Sequence, residues 1–283
     1  MPRPNSLPWM ESADAKMIRA RENIEGIARE MNEWFASIKV NIILKTSPDS
    51  LLPWLVVYAE DYIPPIRLSI LIGECVHNMR SAIDNLVCGL ALTLKPTCKC
   101  RGLAFPLFKD QAEWDKEADK PLKGIPPGAK EAIRQLQPWA DTVSPNPLTI
   151  LNKLSNLDKH RACNFTLAYG RNVNFRLHCN NGAILDVRVN EPLYLGDVHP
   201  ITLQIDKRLV ENGARVESSG TFVLTFREES NWDDIPVMTV LQDCFDHIER
   251  RVVPKLKPFF EKPKRGSDPC RNFVRPLPLH SRP

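Results

Sequence analysis

Between Gly73 and Asp84 the chain gathers Glu74, His77, Asn78, Arg80, Ser81 and Asp84 within about three turns of a candidate helix. Further on, Asn156-Leu-Asp-Lys-His-Arg161 supplies both signs of charge and a second imidazole. Cleaving RNA without a metal needs a base for the 2′-hydroxyl, an acid for the leaving oxygen and cations for the phosphorane. His77 and His160 fit the acid and base roles, with Arg80, Lys159 or Arg161 on phosphate and Asp84 or Asp158 orienting an imidazole. Those five are the expected catalytic residues, and Glu74, Asn78, Ser81, Asn156, Asp158 and Lys159 the expected binding residues. A metal centre is the competing chemistry: Glu74 and His77 have the i, i+3 spacing of carboxylate–histidine bundles, with Asp84 and His160 completing a set. A second Glu-x-x-His is missing, so neither metal nor cofactor is assigned.

The element that must position the first group is a helix over about 66–94, opened by Pro64-Pro65 and ended by Pro96. On a wheel, Ile72, Cys75, Val76, Met79, Ile83, Leu86, Val87 and Leu90 form one side. Glu74, His77, Asn78, Ser81, Asp84, Asn85 and Cys88 form the other, with Arg80 at its edge. A solvated face normally takes Lys, Glu, Gln and Arg. Asn, Ser, Asp and His are poor helix formers that persist mid-helix mainly when something binds them. The second group ends a helix launched by Asn146-Pro147, whose apolar face of Ile150, Leu151, Leu154 and Leu157 also carries Asp158 and Arg161. Charges among leucines need partners, so the two helices are expected to pack and bring their polar groups together.

Around these helices the period of the apolar residues changes with position. Met17, Ile24, Ile27, Met31, Trp34 and Ile38 predict a first helix over about 13–37. Val40, Ile42 and Leu44, a Ser47-Pro-Asp-Ser turn and Leu55 to Ala59 then predict a β-hairpin. Residues 96–145 are loop-rich, with short helices near 111–118 and 128–136 and Phe105-Pro-Leu-Phe108 as a buried plug. Val173, Phe175, Leu177 and Cys179 alternate with polar residues, and Asn181-Gly182 turns the chain into Ile184 to Val189. Strands over 201–205 and 221–227 and a last helix over about 234–256 complete an α+β chain. The expected architecture is a helical bundle on long helices, an N-terminal β-hairpin, and a C-terminal antiparallel sheet followed by a helix. One α+β domain is expected over 1–260, helical over about 12–163 and sheet plus helix over about 164–260. Residues 261–283 are a basic, Pro-rich tail.

The 283 residues are 43% hydrophobic and 25% charged, which suits a folded core and excludes a disordered or fibrous chain. No apolar run approaches the roughly 20 residues of a membrane span, and no apolar h-region follows Arg3. The expected compartment is the cytoplasm. Cys75, Cys88, Cys163 and Cys244 lie in apolar periodic segments and read as small hydrophobes. Cys98-Lys-Cys100 is a lone C-x-C, too little for a zinc site. From 249 onward ten basic side chains face three acidic ones, a net +7 that leaves −3 on the rest of the chain. Expected partners are RNA or another phosphate-bearing ligand, or a second copy of the chain, with no membrane.

The strings Gly73-Glu-Cys-Val-His-Asn-Met-Arg-Ser-Ala-Ile-Asp84, Phe105-Pro-Leu, Leu136-Gln-Pro-Trp139 and Leu157-Asp-Lys-His-Arg161 resemble an uncharacterised bacterial family. That family has an H-N-x-R-S-A-x-D helix followed by F-P, L-Q-P-[YW] and D-K-H-R elements. The resemblance spans about 60–165 and implies bacterial kin without an activity. A looser likeness to HEPN domains implies a metal-independent ribonuclease with Arg preceding His on a helix, whereas here His77 precedes Arg80. The expected function is a non-enzymatic binding or interaction module with a polar His/Arg/Asp helix face. A HEPN-like ribonuclease or phosphodiesterase and a helix-bundle metal site are the alternatives.

Overall fold

The computed structural model describes residues 7–260 except 48, 61–62, 142, 161–164, 170–172, 190–192, 195–198, 211–213 and 227–234; backbone alone is described for 7–8, 158–160, 165–169, 193–194 and 199–200. The expected tail, 261–283, lies outside these residues, as does Arg161.

Two long antiparallel helices form the spine. Helix α1 (Leu7–Ser37) buries Ala13, Met17, Ala20, Ile24, Ile27, Met31, Trp34 and Ile38, alternating steps of four and three residues that keep one seam facing a partner. Helix α2 (Ile66–Leu94) answers with Leu68, Ile72, Cys75, Met79, Ile83, Leu86 and Leu90. Polar ties hold both ends of the pair: Asn85 Nδ2 donates to Ser12 Oγ over 2.9 Å, and Arg67 Nε meets Glu30 at 3.1 Å. The first helix starts six residues before the expected Ala13. The bounds expected for α2 are the observed ones.

Smaller helices follow: α3 (Gln111–Glu117), α4 (Pro127–Arg134) and α5 (Pro147–His160). Asp110 caps α3 by accepting from the Glu113 amide at 2.8 Å, while the Glu113 side chain accepts from the Lys109 amide, an exchange close to a capping box. Asn146 Oδ1 accepts from the Leu148 amide at 3.0 Å and starts α5. Helix α5 packs on α2, as expected, and on α6 (Val237–His247). The last helix is not uniform. A π-helical turn, Ile248–Val252, separates α6 from α7 (Val253–Leu256), and Val253 N–H reaches back five residues to Ile248 O. Pro254 cannot donate the bond a regular helix would need there.

Three antiparallel three-stranded sheets surround the bundle. The first joins β1 (Lys39–Lys45), β2 (Trp54–Glu60) and β7 (His199–Thr202) in that order. The second runs β6 (Leu193–Tyr194), β3 (Phe165–Tyr169), β9 (Phe222–Phe226). The third runs β5 (Ile184–Val189), β4 (Val173–His178), β8 (Arg215–Ser219). In β4 the alternation works as expected: Val173, Phe175 and Leu177 are buried, while Arg176 points out and pairs with Asp186 at 2.8 Å. The α+β class stands. The expected N-terminal hairpin is not self-contained, because a strand about 140 residues later adds to its β2 edge.

Phe260, behind the last short helix, closes over the spine. A Cβ built at Gly89 would lie 2.7 Å from the Phe260 ring and 2.9 Å from Trp9 Cβ. Only glycine lets both approach α2 there.

Candidate functional site

The polar stripe of α2 binds something, and that something is the protein's own backbone. Arg80 Nη2 donates to the Phe105 carbonyl at 2.7 Å, and the Phe105 amide donates to Asp84 Oδ1 at 2.8 Å. Arg80 and Asp84 also pair with each other at 3.1 Å. Phe105 is fully buried, so its backbone groups need partners inside the protein. Gln137, also fully buried, completes the clamp: its Nε2 donates to the Pro106 carbonyl at 2.9 Å and its Oε1 accepts from the Phe108 amide at 3.1 Å. The H-N-x-R-S-A-x-D, F-P and L-Q-P-W strings therefore meet at one buried loop. Asn85 is likewise engaged, on Ser12.

The rest of the stripe faces outward. His77 is exposed, with Nε2 3.4 Å from Ser81 Oγ. Glu74 is exposed beside Arg19 at 3.8 Å, and Asn78 donates to the Glu74 carbonyl at 2.8 Å. Asn156 is exposed on α5. The side chains of Asp158, Lys159 and His160 lie outside the described residues, so the expected meeting of His160 with His77 falls there too. Among the described residues no three His, Cys, Asp or Glu side chains come together to hold a metal ion.

Cys88 requires a correction. It is bonded to Cys100, with Cα atoms 5.4 Å apart, instead of serving as a free apolar thiol on the polar side of α2. Pro96 ends the helix, and the short loop behind it folds back along the last turns, bringing Cys100 rather than Cys98 to the helix. Cys98 stays a partly buried free thiol. Cys75 behaves as expected of a small hydrophobe: burial pushes its thiol up to about 12.

A second polar stripe, on α6, escaped the sequence reading. His247 is 7% exposed, and its Nε2 is buried with no hydrogen-bond partner among the described residues. Burial and the nearby Arg251 cation push the imidazole pKa down, with Asp141 pulling the other way, which favours the neutral ring. His247 lines a cleft of about 480 Å³ between α6, the π turn and the 143–147 segment, within the usual range for small-ligand sites. Asp243, one helical turn earlier, lines the same cleft. Its carboxyl is pushed up by burial and by the neighbouring Asp246.

The two arginines of the cleft are already held. Arg251 Nη1 donates to Asp141 Oδ2 at 2.7 Å, and Arg250 Nη2 lies 3.3 Å from Asp246 Oδ2. Burial raises the Asp141 carboxyl, but hydrogen bonds from Arg251 and the Val143 amide outweigh it and leave the pKa lowered. Asp141 thereby pins the loop that forms one wall. Cys244 Sγ, 3.2 Å from the Pro147 carbonyl, joins α6 to the start of α5. His247 stands seven residues after Val240 and three after Cys244, which puts it on the stripe those two buried residues mark. That spacing was the available signal for it.

Compared with protein-family models, with curated proteins and with solved structures, the chain matches none.

Proposed function

We propose that this protein is a non-enzymatic binding module whose ligand seats in the cleft of α6. The observation that carries the reading is that His247, whose buried Nε2 has no partner among the described residues, lines a concave, mainly apolar cleft. A buried polar atom left unmade costs about 1–3 kcal/mol, and a ligand that supplies its hydrogen bond recovers that energy. The polar His/Arg/Asp face expected on α2 is thus relocated to α6. The nuclease reading draws no support from Arg80, whose guanidinium holds Phe105 and Asp84 and is not presented to phosphate.

Fragment binding followed by backbone amide NMR of the full chain tests this. Shifts should cluster over 235–251 and disappear in Val143→Trp, which plugs the mouth from a residue already 44% exposed. Hits elsewhere, or hits indifferent to that plug, would overturn the reading.

No described helix is long and apolar enough to cross a membrane. We place the protein in the cytoplasm, where the reducing pools keep most thiols unpaired and the Cys88–Cys100 bond would form only under oxidation. Thiol trapping at lysis decides this: a fully oxidised resident pool moves the protein to an oxidising compartment.

A further inference from the structure

Among the described residues one carboxylate of the α6 cleft has no cation to match it. Arg251 is matched by Asp141 and Arg250 by Asp246, which leaves the exposed Asp243 carboxylate with no hydrogen bond or ion pair among the described residues. Asp243 and His247 are one turn apart on the same helix face, the spacing at which side chains are neighbours. Val143, Pro145, Ile150, Ile235 and Val240 supply apolar wall around them.

We propose that the cleft takes a small organic ammonium ion with an apolar body, its N–H groups shared between the Asp243 carboxylate and the His247 imidazole. This inference rests on the cleft being a ligand site. An ammonium carries several donors and no acceptor, which suits two neighbouring acceptors, a carboxylate and the lone pair of a neutral imidazole. His247 Nε2 is buried in the structure, so the bound state requires the ring to turn about χ2, a broad torsion in imidazoles. The apolar body covers the aliphatic and proline walls, where burial of each methylene favours binding. The cation also relieves the repulsion between Asp243 and Asp246, which a second anion would increase. Phosphate is disfavoured for that reason and because both guanidiniums already bind carboxylates.

The experiment titrates the full chain at pH 7.5 with benzylamine, benzyl alcohol and benzoate, read by calorimetry and by amide shifts over 235–251. Benzylamine should bind at least tenfold more tightly than benzoate. Asp243→Asn, which keeps the shape and removes the charge, should weaken benzylamine at least tenfold with the melting temperature of the unsubstituted protein retained. Should Asp243→Asn fail to fold, Val143→Trp should abolish benzylamine binding instead. Equal binding of benzoate, or benzylamine binding indifferent to both substitutions, overturns the ammonium assignment. If benzoate or benzyl alcohol binds in a manner blocked by Val143→Trp while benzylamine does not, the cleft remains a ligand site and only the ligand class fails. If none of the three shifts residues 235–251, both the assignment and the reading beneath it fall.

Discussion

Two helix stripes of similar composition spend their polar groups differently. On α2, Arg80 Nη2 and Asp84 hold each other and the Phe105 backbone, while Arg80 Nη1 is buried without a partner among the described residues. On α6, His247 Nε2 is buried without a partner among the described residues, beside an exposed Asp243 that no described side chain pairs. Unusual polar residues within a helix therefore mark a demand for hydrogen bonds, but not its source. On α2 the demand comes from a loop that enters the core. On α6 the unmet nitrogen belongs to a residue that lines a cleft, which is the condition a ligand can exploit.

The sharpest way to break this contrast is Asp84→Ala. It strips the buried Phe105 amide of its acceptor and leaves Arg80 short of its counter-ion. Losing one partner of a buried pair costs about 3–5 kcal/mol; with Asp84 30% exposed, solvent screening puts the expected loss near the lower end, about 3 kcal/mol. Urea unfolding monitored by tryptophan fluorescence reads it. A loss under about 1 kcal/mol would show that the loop is held by packing and that α2 is freer than the clamp implies.

Next comes the bond at the end of α2. Cys88 and Cys100 are 12 residues apart in sequence, and closing a loop of that size stabilises by about 2–3 kcal/mol through the unfolded chain. Thermal melts with and without a thiol reductant should differ accordingly, with little change in benzylamine affinity because the bond lies outside the cleft. A reductant that weakened benzylamine binding tenfold would join the two regions that the comparison separates.

These regions also differ in how far the sequence exposes them. The seam of α1 and α2 is written in steps of three and four, and the β4–β5 hairpin in its alternation and in Asn181-Gly182, where Gly182 takes a φ of 83°. Such signals are local. By contrast β8 carries Val216 among exposed residues, so its period of two has little to act on and its place in the sheet follows from β4. The pairing of β7 with β2 and the choice of Cys100 over Cys98 depend on where distant or returning segments come to rest. The clamp lay between these cases. Its residues stood out by type, while their partner, the Phe105 backbone, leaves no trace in side-chain identity. His247 was readable by its spacing from Val240, but a histidine on an apolar stripe is common enough to pass for core.

His247→Phe probes the unmet demand. Removing a buried polar atom that has no partner should stabilise the protein by about 1 kcal/mol, an increase rather than the loss expected at Asp84. The pH profile sharpens this. The folded-state pKa of His247 is lowered, so as pH falls the unfolded chain takes up the proton first, near its ordinary value of about 6.5. The contribution of the neutral ring is then complete above that pH and lost as pH falls below it toward the lowered folded value. His247→Phe should flatten this part of the acid limb. A variant that melts earlier and keeps the limb unchanged would mean that the imidazole is satisfied in solution, and the contrast between the stripes would vanish.

The smallest effect is expected at His77, the residue around which the sequence suggested chemistry. Its ring is exposed and its nearest polar neighbour, Ser81, is 3.4 Å away, while Asp84, the carboxylate that would orient it, is occupied by Phe105 and Arg80. His77→Gln therefore removes no buried contact and should change stability by less than about 0.5 kcal/mol, with benzylamine affinity unchanged. Incubating the protein with mixed RNA and single-stranded DNA in EDTA supplies the second readout. Cleavage that falls about 100-fold in His77→Gln, the scale of lost general acid–base catalysis, would restore a reactive site to α2 and place the histidine there by function despite its weak anchoring. Absence of cleavage in both proteins, with the melting curve unmoved, leaves α2 as the element that holds the core loop and α6 as the element that meets the ligand.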